Sequence, residues 1–199
     1  MGFASELIKS QLFITPPYPT CSFQGQTVIV TGSNQGLGFE ALKHIVRLNC
    51  TKAIMAVRSL EKGKTAKQTI EQSLNIQSDV IEVWELDLSS FSSVMSFAAR
   101  VDKCLPRVDA LIENAGIATK AFRRLEGNES TITVNVLSTV LLALLLLPKM
   151  QRTSVEYCVS PRITVVSSET HFLAKFKEKN AHKIFEALDI EKSADMGDR

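Results

Sequence analysis

The segment Thr31-Gly32-Ser33-Asn34-Gln35-Gly36-Leu37-Gly38 constrains this chain more than any other stretch. It follows an apolar, β-branched run, Thr27 to Val30, and opens a helical stretch, Gly38 to Leu48. Glycines at such a junction permit a tight turn and a close approach of the backbone to a ligand. The helix start that follows presents free N–H groups and the positive end of its dipole, which suits a pyrophosphate. Strand, glycine-rich turn and helix in that order read as the entry to a nucleotide-binding βαβ unit.

The same alternation continues downstream. Runs rich in apolar or β-branched residues recur at Ala53–Val57, Val80–Trp84, Ala110–Ile112 and Ile163–Val166, as in strands covered on both faces. Helical stretches lie between them at Leu60–Leu74, Ser90–Leu105 and Glu129–Met150. Ser89 or Ser90 can cap the second of these, and Pro148 predicts a break or kink in the third. The order βαβαβαβαβ predicts an α/β fold, a Rossmann-like doubly wound parallel sheet of five strands with helices on both faces. Residues 26–199 form that domain. Residues 1–25 read as an arm, kept extended by Pro16, Pro17 and Pro19, with Leu12, Phe13 and Ile14 available to pack onto the body.

Composition narrows the function classes. Among 199 residues, 45% are hydrophobic, enough for one domain with a core, and the formal charge of +2 is too small to argue for a nucleic-acid partner. Cys21, Cys50, Cys104 and Cys158 are scattered, without metal-ligand spacing, which predicts core thiols in a reduced, cytoplasmic chain and no metal. The longest apolar stretch, Val136 to Leu147, falls short of the about 20 residues that span a bilayer, so no transmembrane segment is expected. The Met-Gly start followed by Glu6 matches neither a myristoylation pattern nor a signal peptide.

Arg58 stands twenty residues after Gly38, just past the second strand. An acid there would select NAD by bonding ribose hydroxyls, whereas a guanidinium can grip a 2′-phosphate in bidentate fashion, which favours NADP.

Taken together, these motifs resemble the short-chain dehydrogenase/reductases, and more narrowly their fungal, retinol dehydrogenase-like branch. The glycine segment has that family's Thr-Gly-x-x-x-Gly-x-Gly spacing, and Asp87-Leu88 matches its adenine-contacting acid. Asn114-Ala115-Gly116 matches its strand-end motif, although Glu113 replaces the common Asn before it. By the same resemblance, Asn135 orders a proton-relay water, and Ser168, the second of Ser167-Ser168, is catalytic. Asn135 lies among Val134, Val136 and Leu137, where a buried amide must find partners.

The family's Tyr-x-x-x-Lys pair does not occur in this chain. The only tyrosines are Tyr18 and Tyr157, and neither has Lys four residues on. His171 and Lys175 have the spacing, but His171 follows Ser168 too closely to replace the Tyr. Phe172 to Lys192 reads as an amphipathic helix. The expectation is a chain truncated before that pair, with its sheet incomplete at the carboxy-terminal edge.

Two functions follow. One is an NADP-dependent oxidoreductase acting on a carbonyl or alcohol of a small organic substrate, by resemblance in fungal secondary-metabolite biosynthesis. The other is a catalytically inactive nucleotide-binding or partner-completed module. The Leu-rich stretch from Leu137 to Leu147 could serve either the core or pairing into a homo-oligomer.

Overall fold

A computed structural model describes residues 9, 10, 12–76 and 79–197. The Met-Gly start and Glu6 lie outside the described residues.

Five parallel strands form the centre: β1 (Thr27–Thr31), β2 (Lys52–Val57), β3 (Ile81–Glu85), β4 (Ala110–Glu113) and, after a hairpin described below, β7 (Arg162–Val165). Their spatial order is β3-β2-β1-β4-β7. The chain therefore winds outward from β1 in one direction and then restarts beside it in the other, the doubly wound arrangement that the strand pattern predicts. Alternation along β1 feeds two cores. Ile29 joins the layer under α3 (Phe91–Cys104) and α4 (Ser130–Tyr157), whereas Val28 and Val30 join that under α1 (Gly36–Arg47) and α2 (Leu60–Leu74). Helices thus cover both faces, which is why the inner strands are continuously apolar.

Local chemistry sets the helix starts. Ser59 Oγ accepts the Lys62 N–H at the head of α2, and Ser90, not Ser89, caps α3 by accepting the Ser93 N–H. The carboxylate of Glu129 caps α4, accepting from the backbone of Thr131 and Ile132 and from the hydroxyls of Ser130 and Thr131.

Several expectations are corrected. α4 runs through Pro148 without ending, because its last turns are held from outside. Lys149 reaches the Asp102 carbonyl, Arg152 pairs with Asp102, and Thr153 Oγ1 accepts the Val108 N–H at 3.0 Å. At 28 residues α4 is long and apolar enough to cross a membrane by length and composition, which the shorter run from Val136 to Leu147 did not reveal. Its inner face, with Leu142, Leu146 and Met150, is core instead.

The arm packs through different residues than expected. Leu12, Phe13 and Ile14 are exposed. Tyr18 sits edge-on to His44 and beneath the Arg47 guanidinium, which also donates to the Pro19 carbonyl. Of the four cysteines only Cys50 is in the core, where burial pushes its thiol up to about 11; Cys21, Cys104 and Cys158 are exposed and free.

The stretch from Phe172 to Lys192 is not one helix. Short 3₁₀ turns interrupt it, and only α5 (Ile184–Leu188) is α-helical. Its apolar residues have little to pack on, since Phe172, Phe185 and Ile190 are more than half exposed. The segment docks at Leu188, which is buried, and at Asp189. Asp189 accepts the Glu129 N–H at 2.6 Å, and its carbonyl accepts from Arg124 at 2.7 Å. Those partners belong to an unforeseen hairpin, β5 (Arg124–Leu125) and β6 (Asn128–Glu129), turned through Glu126 and Gly127, both at positive φ.

Candidate functional site

The carboxyl ends of β1, β2, β3 and β4 surround a cavity of about 770 Å³. This is the edge at which doubly wound sheets take ligands. Gly32, Asn34, Gln35 and Gly36 form one wall, Arg58 and Asp87-Leu88 the next, and Asn114-Ala115-Gly116 the third. Sequence-separated candidates therefore meet at one place.

The other residues of the glycine segment shape that wall without lining it. Thr31 Oγ1 accepts the N–H groups of both Asn114 and Ala115, at 3.0 and 2.9 Å. Asn114 Nδ2 donates back to the Thr31 carbonyl at 3.0 Å, so the ends of β1 and β4 are laced together. Ser33 is buried and donates to the Val30 carbonyl. Leu37 is 76% exposed on the outer side.

Two glycines are demanded by space. Gly32, at φ +65°, packs so closely that a Cβ would stand 2.9 Å from Ala115 Cα, and a Cβ on Gly38 would stand 2.4 Å from Asn114 Nδ2. Gly36, at φ +61°, faces open space instead. A ligand can thus approach the backbone there, at the start of α1.

Charge on the walls is mixed. Arg58 is exposed, and Lys62 and Arg123, which were not singled out from the sequence, also line the cavity. Asp87 Oδ1 accepts the N–H and hydroxyl of Ser89, while its own N–H donates to Ser93 Oγ. That network fixes the carboxylate of Asp87, which lines the cavity.

Asn135 is exposed rather than buried, yet fully engaged. Its Oδ1 accepts the Ile117 N–H and its Nδ2 donates to the Ile117 carbonyl, each at 2.8 Å. It stands directly behind Gly116, whose added Cβ would lie 3.2 Å from Asn135 Oδ1. Asn135 is carried by a π-helical turn, Thr133–Ser138, inside α4. Ser168 is exposed beyond β7 and does not line the cavity. Its carbonyl lies 2.7 Å from His171 Nδ1. The structure brings the nucleotide-binding candidates together but not the two catalytic candidates on one wall.

Glu113 is the surprise of the site. It ends β4 directly before Asn114, is 3% exposed, and neither carboxylate oxygen has a hydrogen-bond partner. Burial pushes its carboxyl up to about 7.

The family model described as short chain dehydrogenase matches residues 26–195, nearly the whole of the sheet, its helices and the cavity. With the glycine turn, the strand-end Asn114 and the five-stranded order all inside that match, the chain belongs to the short-chain dehydrogenase/reductase family, an oxidoreductase family. It is 51% identical over 181 residues to the short chain dehydrogenase/reductase dmxR8 of Cryptosporiopsis sp. (strain 8999), covering 91% of this chain and 55% of that one. To the short-chain dehydrogenase anuD of Penicillium roqueforti (strain FM164) it is 46% identical over 196 residues, covering 98% and 51%. The chain spans about half the length of these curated relatives. A short chain dehydrogenase of Shigella flexneri solved with NADP shares the fold, with a TM-score of 0.63 at 23% identity over 77% of this chain and 63% of that one.

Proposed function

We propose that this chain is the nucleotide-binding part of an NADP-dependent oxidoreductase that transfers hydride between NADPH and a carbonyl or alcohol of a small organic molecule. Its setting is fungal secondary-metabolite biosynthesis in the cytoplasm, a reading that rests on the fungal relatives. The observation that carries the proposal is the convergence of Gly32, Asn34–Gly36, Arg58, Asp87 and Asn114–Gly116 on one cavity. Those residues fit the cofactor physically. Gly36 leaves room at the start of α1 for a pyrophosphate, and Arg58 with Lys62 supplies positive charge beyond β2 for a 2′-phosphate. Bound NADPH would supply the hydride. Asn114 and Thr31 hold the strand ends that shape the cavity floor, Asn135 fixes the rim, and Ser168 is assigned the substrate oxygen.

A titration of the chain with NADPH and NADH tests the reading. NADPH binds more tightly, and Arg58→Ala removes most of the difference. Equal affinity of the unaltered chain for both nucleotides overturns the assignment.

A second reading, a binding module inactive by itself, is favoured by one observation. Neither tyrosine of the chain is placed to deliver a proton. Tyr18 is held by His44 and Arg47, and Tyr157 lies under Arg107.

A further inference from the structure

The family reading leaves Glu113 unused, although it occupies the sheet position next to the nucleotide cradle. On β4 it points to the same face as Leu111, into the layer filled from α4 by Val134 and Leu142. Ser138 stands between those two on α4, four residues from each, and is 0% exposed. Among the described residues, the only buried side-chain oxygens without a partner are those of Glu113 and Ser138. Two orphaned polar groups on facing sides of one layer would be costly if each stayed unpaired.

We propose that Glu113, as a neutral carboxylic acid, is joined to Ser138 Oγ through one enclosed water, to which the acid donates. The bond joins the end of β4 to the π-turn of α4. The joint makes Glu113 a positioning residue. On one side it steadies Asn114–Gly116, and on the other the turn whose Asn135 grips Ile117. The joint favours the neutral acid, because an ionised carboxylate could still accept a hydrogen bond but would remain a buried charge with no opposite charge to offset it.

No charged group answers Glu113 across the layer. The inner faces of α3 and α4 are apolar there apart from Ser138, and β1 contributes Ile29 and Thr31. On the neighbouring strand Val165 is its register partner, with Arg162 at the far end opposite Ala110. Asp109 is engaged by Arg107 at that same far end, and Glu129 is engaged at the start of α4. Deprotonation near neutral pH then places an uncompensated charge in this layer and strains the joint.

The nucleotide-affinity part of the test rests on the proposed function; the rest does not. Carbon-13 NMR of the glutamate carboxyls in the full chain follows Glu113, which titrates near neutrality rather than near the ordinary glutamate range. A double-mutant cycle of Glu113→Leu and Ser138→Ala, read by urea unfolding at about pH 5.5, shows coupling of about fivefold or more in the folding constant. Between about pH 5.5 and about pH 8.5 the NADPH Kd of the unaltered chain rises about threefold or more, whereas Glu113→Gln, which keeps a donor, binds with a flat profile. An additive cycle, an ordinary titration of Glu113, or a Gln variant with the same pH profile as the unaltered chain overturns the joint. Absence of nucleotide binding at every pH overturns the proposed function instead, and the carboxyl titration and the cycle still decide the joint.

Discussion

Asn135 and Ile117 hold each other twice, amide against peptide, with both hydrogen bonds at 2.8 Å. The pairing spans eighteen residues and ties the loop after β4 to α4 without help from any sheet bond. The Asn side chain behaves here as an extra length of backbone. The segment from Asn114 to Ile117 is thereby fixed at both ends, by Thr31 and by Asn135.

Asn135→Ala should free the far end alone. The loss of two hydrogen bonds, at about 1 kcal/mol each, lets the cavity rim loosen while the sheet persists. Amide exchange at Ile117 should quicken, and NADPH affinity should fall several-fold. Unchanged exchange at Ile117 would show that the rim is held by something other than Asn135.

The two glycine positions should separate folding from binding. Gly38→Ala drives a methyl against Asn114 Nδ2 and the Gly32 carbonyl, so it should lower stability by about 1–3 kcal/mol in chemical denaturation. Gly36→Ala meets no atom, and its cost is the positive φ alone, about 1 kcal/mol. Its larger effect should be on nucleotide affinity, because the new methyl sits where the backbone is open.

Glu129 should set the acid limb of stability. Burial raises its pKa, but the bonds from the Thr131 hydroxyl and N–H, the Ser130 hydroxyl and the Ile132 N–H lower it further than burial raises it. Its folded pKa therefore lies below the unfolded one, near 4.5. The stabilisation is fully present above that unfolded value and is lost as pH falls through the folded one. Glu129→Gln should cost about 1–2 kcal/mol at neutral pH and flatten the decline in acid, as measured by urea unfolding across pH.

Turnover should be poor in this chain. Ser168 and Asn135 are not general acids near neutral pH, and such catalysis contributes roughly 10²- to 10⁴-fold. NADPH oxidation with a panel of small carbonyls should be slow or absent, and joining a carboxy-terminal segment that carries a Tyr-x-x-x-Lys pair should restore it. Ser168→Ala in the extended protein should then remove most turnover with nucleotide affinity kept. Fast oxidation by the unextended chain, lost with His171→Ala, would reveal a substitute acid.

The five central strands were legible as apolar or β-branched runs, and strand starts such as Thr27 and Ala110 agree with the structure, but only the inner strands are covered on both faces: the edge strand β7 is exposed at every residue, against the expectation for it. The glycine wall was legible because its conformational needs are written in residue type. Less could be read where tertiary contacts decide. Pro148 is a breaker by itself, whereas α4 goes on past it with Lys149, Arg152 and Thr153 holding its last turns to the Asp102–Val108 region. The β5–β6 hairpin has two-residue strands, too short for any alternation, and is recognisable only from Gly127 after Glu126. Lys62 and Arg123 carried no motif; their place on the cavity wall comes from α2 and from the entry to β5.

The π-turn from Thr133 to Ser138 holds one residue more than an α-helical turn, and beside it Thr139 Oγ1 donates to the Val134 carbonyl. That extra residue changes the helix's phase by about 100°. Asn135 can therefore look toward Ile117 while Leu142 and Leu146 look toward the sheet. Deleting a single residue there would leave α4 as helical as before but out of phase with one of its two neighbours. Among single-residue deletions in α4, those within the turn should be the ones that force a choice between a packed core and a closed rim.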